Sequence, residues 1–65
     1  MWVEFMTVRN AYIAETWREL FAAEGLSVRV VPPIDRGEQV SMRAPRTLYV
    51  PTGKAHVARE ILRKI

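Results

Sequence analysis

The chain has no cysteine, a single histidine and only three glycines in 65 residues. The absence of cysteine removes disulfides and every cysteine-based zinc site as a way of stapling a small fold. His56 has no second histidine to work with, and no carboxylates cluster around it. No metal site is expected, and His56 reads as a surface residue. No run of about 18 apolar residues occurs, so no membrane span is expected. The opening Met1-Trp2-Val3-Glu4-Phe5 lacks a basic segment and carries Glu4 early, so the reading is of no signal peptide and a cytoplasmic protein. There is no Ser/His/Asp set at a recognisable spacing and no thiol nucleophile. Lys54 and Lys64 fall at exposed-looking helix positions, which does not suggest a Schiff base. A pocket for a cofactor needs more layers than a free chain of this length builds. The expectation is therefore no enzyme, no cofactor and no catalytic residue.

What remains must make one small domain. A chain of this size buries only roughly 60% of its unfolded surface, so its stability rests on tight packing or self-association. The net charge of +3 is unevenly placed. Residues 1–31 sum to −1 and residues 32–65 to +4, a distribution that serves solubility and can also favour an anionic partner.

The stretch from Asn10 to Leu26 reads as one complete helix, 11–24. Ile13, Trp17, Leu20 and Phe21 fall at i, i+4, i+7 and i+8 and make one apolar stripe. Asn10 is an N-cap, Gly25 suits the left-handed stop, and Leu26 can fold back on Phe21. Glu15 and Arg18 are placed to pair on its outer side. Trp17 lies inside the stripe and reads as a core residue.

Before the helix, 2–9 is a strand rich in β-branched and aromatic residues. Strict alternation puts Val3, Phe5 and Thr7 on one face and Trp2, Glu4, Met6 and Val8 on the other. Both faces are then largely apolar, which points to contact with another chain through one face or the strand edge. After the helix, 27–31 is a second strand, stopped by Pro32-Pro33. Residues 32–45 form a long connection, within which Asp35-Arg36-Gly37 suits a turn and Gln39 to Arg43 a short hairpin arm. A third strand spans 46–50. A second helix, 53–64, follows with Thr52 as its cap and Val57, Ala58, Ile61, Leu62 and Ile65 as its stripe.

The order strand, helix, strand, strand, helix, with a right-handed crossover, predicts an α+β, ferredoxin-like βαββα layout. It has a three-stranded antiparallel/mixed sheet in order 1-3-2 and both helices on one face. The first strand is then an open edge, and exposed edges pair with other chains. A homodimer through strand 2–9 is expected, with Trp2, Glu4, Met6 and Val8 as its contacts.

Thr52-Gly53-Lys54-Ala55 resembles the end of a phosphate-binding loop, but Leu48 stands where the motif needs glycine and Ala55 where it needs Ser or Thr. Arg36, Arg43, Arg46 and Lys54 suggest a basic edge with Tyr49 as a stacking ring. The aromatic motif of RNA-binding sheets is absent.

The segments that open the first strand, close the first helix with Glu24-Gly25-Leu26, and run from Leu48-Tyr49-Val50-Pro51 to Ala58-Arg59-Glu60-Ile61-Leu62 carry a resemblance. The chain resembles a small prokaryotic family of signal-transducing proteins whose fold is similar to the PII-type regulators. The resemblance covers most of the chain outside 32–46. It implies a βαββα domain with a regulatory or binding role and, by position, partner contacts in the long loop. The expected function is a regulatory or adaptor module that binds a protein partner through the 33–46 loop, with Arg36, Met42, Arg43 and Arg46 as contacts, residue types favoured at interfaces. The alternative is a nucleic-acid or anion binder that uses the basic C-terminal half.

Overall fold

In a computed structural model, which describes residues 1–34 and 40–65, the described residues form three strands and two helices. The elements are β1 (Trp2–Val8), α1 (Ala11–Ala23), β2 (Arg29–Val31), β3 (Arg46–Pro51) and α2 (Ala55–Arg63), with a single 3-10 turn at Thr52–Lys54 leading into α2. The sheet order is β1-β3-β2. Both outer strands pair antiparallel with β3, so they run parallel to each other, as a crossover through α1 requires. This is the expected α+β architecture.

Helix α1 is specified at both ends by local chemistry. The Asn10 side-chain oxygen accepts from the Ile13 N–H at 2.9 Å, which satisfies a donor that the first turn leaves without an intrahelical partner. Gly25 takes φ +86°, the Gly25 N–H donates to the Ala22 carbonyl and the Leu26 N–H to the Phe21 carbonyl. That pair of bonds is the Schellman stop. Glu15 and Arg18 pair at 2.6 Å on the outer side of the helix. Replacing Asn10 with alanine should cost about 1 kcal/mol. Urea unfolding followed by circular dichroism checks this, through a lower midpoint at unchanged slope.

The core lies between the sheet and the two helices, in two clusters. One joins Phe21, Leu26, Val50, Ala58 and Ile61; the other joins Val8, Ala14, Val30 and Leu48. Trp17 and Val28 pack against both. Ala11 and Ala14 are fully buried, so the start of α1 approaches the sheet through small side chains that an apolar-stripe count passes over. Leu48 and Val50 of β3 point into this core, and both helices lie on their side of the sheet.

Four expectations change. First, β1 does not alternate strictly. Its register with β3 shifts between Glu4 and Met6, a bulge that inserts one residue and reverses the parity beyond it. Met6 and Val8 therefore turn inward and pack in the Leu48 cluster, while Thr7 turns out, opposite Thr47. The outer face is left with Trp2, Glu4 and Thr7, so only the inner face of β1 is largely apolar. Second, Thr52 does not cap α2 with its side chain. Its N–H and hydroxyl both donate to the Met1 carbonyl, at 2.8 and 3.1 Å, and tie the chain start to the end of β3. Third, Ile65 lies beyond the end of α2 and is exposed. Fourth, the described part of the expected hairpin arm, residues 40–43, is not strand; the Ala44 N–H donates to the Ser41 carbonyl to close a turn. The Asp35-Arg36-Gly37 turn lies outside the described residues.

Candidate functional site

The described end of the long connection is held from two sides. From below, Arg46 reaches up from the first position of β3. An arginine at a strand start is ordinarily exposed, but this one shares the parity of Leu48 and Val50 and is 0% exposed. Its Nη1 donates to the Ser41 carbonyl at 3.1 Å and to the Ala44 carbonyl at 2.7 Å. From the side, the Ala11 N–H, one of the donors that a helix start leaves over, donates to the Met42 carbonyl at 2.9 Å. The Ser41 Oγ accepts from the Arg43 N–H at 3.1 Å. Three carbonyls of the turn are thus anchored: those of Ser41 and Ala44 by Arg46, that of Met42 by α1. Above these anchors Val40, Ser41 and Arg43 are exposed, and Met42 is half-buried.

The four residues expected to contact a partner therefore separate. Met42 and Arg43 sit together on the turn. Arg46 lies beneath it with its guanidinium turned to backbone carbonyls, so it supports the surface instead of belonging to it. Arg36 lies outside the described residues. The basic edge that would have joined Arg43, Arg46 and Lys54 loses its middle member to the interior.

A second surface is the sheet face away from the helices. The register puts Glu4, Tyr49 and Arg29 in one row across β1, β3 and β2, and Thr7, Thr47 and Val31 in the next. The Thr7 and Thr47 hydroxyls hydrogen-bond at 3.2 Å. The Arg29 guanidinium lies 4.7 Å from the centre of the Trp2 ring, a cation–π arrangement. Arg29 and Tyr49 thus join Trp2 and Glu4 on this face. The signal for Arg29 was its alternation against Val28 and Val30. Around the edge of β2 the surface continues into an open groove of about 690 Å³, lined by residues that include Arg18, Pro33 and Ile34.

At the start of α2, Gly53 and Lys54 lie in the 3-10 turn and are exposed. His56 is exposed as well. Among the described residues no group of three or more His, Cys, Asp or Glu side chains is placed to hold a metal ion, and no helix is long and apolar enough to cross a membrane. No family model, curated protein or solved structure matches the chain significantly.

Proposed function

We propose that the chain is a small regulatory or adaptor module, of the kind the signal-transducing family implies, that binds a protein partner through the 33–46 connection. The observation that supports this reading is the anchoring of the turn at 41–44. A buried arginine is spent on two backbone carbonyls, and a helix N–H on a third, to hold one short exposed segment in one conformation. A segment fixed before binding loses less conformational entropy on binding, and exposed connections on a rigid scaffold are where recognition residues concentrate. Arg43, exposed at the centre of the turn, is the principal contact, and Met42 supports it from the inner side.

Affinity capture from host lysate tests this, comparing wild type with Arg43→Glu at low and moderate salt, with and without nuclease. The reading expects a protein recovered by wild type in all conditions. It expects the variant to lose at least about tenfold in affinity for that protein, once purified, because a charge is reversed at the contact. The circular dichroism spectrum should not change, since Arg43 carries no core contact. Recovery of nucleic acid alone, falling steeply with salt, would replace this reading with that of a nucleic-acid binder using the basic half. Equal binding by the variant would remove the turn from the contact.

A further inference from the structure

We propose that the open sheet face is a self-complementary surface, occupied by the same face of a second copy of this chain. Among the described residues no strand pairs with the outer edge of β1. That edge is poorly suited to adding another strand. The bulge between Glu4 and Met6 interrupts its ladder, and Glu4 is a charged residue on it; a bulge and an edge charge are both devices that discourage strand addition. The face beside it is different. It carries Trp2, 36% exposed, and Val31, 43% exposed, next to Tyr49, and no helix among the described residues covers it.

The charges on this face select the occupant. Glu4 stands on one outer strand and Arg29 on the other, in the same row, with Tyr49 between them. Stacking two copies face to face about a two-fold axis parallel to the strands places β1 of one copy over β2 of the other. Glu4 of each copy then meets Arg29 of its mate, and the two Tyr49 rings meet near the axis. Rotation about an axis perpendicular to the strands would set Glu4 against Glu4 instead. The first arrangement is isologous, as a closed dimer requires, and it satisfies two opposite-charge contacts with one pair of residues. Packed sheets lie about 30° from parallel, which this axis accommodates. Trp2 holds the Arg29 guanidinium on the face beforehand, leaving its N–H edge for a carboxylate. A nucleic acid suits this face less well, because Glu4 sits in the central row and the face carries Arg29 as its only basic counterpart among the described residues.

Sedimentation equilibrium over a range of protein concentrations tests the proposal, using wild type, Glu4→Arg, Arg29→Glu and the double swap. Both positions are exposed, and circular dichroism checks that each variant folds. Wild type should show a concentration-dependent dimer. Each single variant should weaken it by at least about tenfold, because like charges then meet at both contacts, and the double swap should restore it. A wild type that stays monomeric, single variants that dimerise like wild type, or a double swap that remains monomeric would each overturn the proposal. Fluorescence anisotropy with single-stranded RNA adds the other occupant: a monomeric wild type whose RNA binding is lost in Arg29→Glu would assign the face to nucleic acid. Arg43→Glu, which lies on the separate turn, should leave dimerisation unchanged.

Discussion

Phe21→Ala should remove most of the folding free energy of this domain. Phe21 is fully buried where the two helices meet the sheet, against Leu26, Val50, Ala58 and Ile61. Its ring meets Phe5 edge-on at 6.0 Å and stacks with Trp17 at 5.9 Å, so two aromatic side chains lose their common partner at once. Truncating a buried phenylalanine costs about 3–5 kcal/mol, and a domain of this length has a total stability of roughly 3–10 kcal/mol. The melting temperature should fall by roughly 12–40 °C on the same basis, or the cooperative transition should disappear at room temperature. Thermal denaturation followed by circular dichroism reads this directly. A loss below about 1 kcal/mol would mean that Phe21 is not the centre of the core.

Arg46→Ala should be nearly as damaging, although arginine is among the residues least often found inside. Its side chain is the largest of the fully buried ones, and it donates to the Ser41 and Ala44 carbonyls. Alanine leaves a cavity under the turn and deprives both carbonyls of a charged donor. The combined effect should be about 3 kcal/mol, given that one hydrogen bond to a charged group contributes about 1.5–3 kcal/mol. The functional consequence separates Arg46 from Arg43. Arg43→Glu should weaken partner binding at least about tenfold in a domain of unchanged stability. Arg46→Ala should weaken binding and stability together, since the turn loses its support. Urea unfolding and a binding isotherm on the same two proteins distinguish the roles; equal stability of both variants would mean that Arg46 supports nothing.

The parts of this fold that could be read from the sequence are those fixed by near neighbours. Asn10, Gly25 and Leu26 mark the ends of α1 because each acts within a few residues of its own position, and strand order follows from one helical crossover and an antiparallel return between its strands. The parts that could not be read depend on residues far along the chain. The bulge in β1 exists only against β3, some forty residues later, so counting by twos from Trp2 assigns Met6 and Val8 to the wrong side. Thr52 resembles a helix cap locally but finds the Met1 carbonyl across the sheet. Arg46 was legible in one respect: it precedes Leu48 and Val50 by even steps, which directs it inward. Its composition argued the other way, because the carbonyls that receive it come from a turn without a regular period. The same reasons divide the candidate site. Met42 and Arg43 could be placed on the connection from sequence; the anchoring that makes their segment a surface could not.

The claim on which the functional account rests is that the anchored turn, and not the open sheet face, meets the protein partner. Titrating the captured and purified partner into isotopically labelled domain, with backbone amide shifts followed by NMR, tests it most directly. The account predicts shifts centred on the Ser41, Met42 and Arg43 amides, with those of Arg29 and Tyr49 unchanged. Shifts centred on Arg29, Tyr49 and Glu4, with the turn unaffected, would contradict it and transfer partner recognition to the sheet.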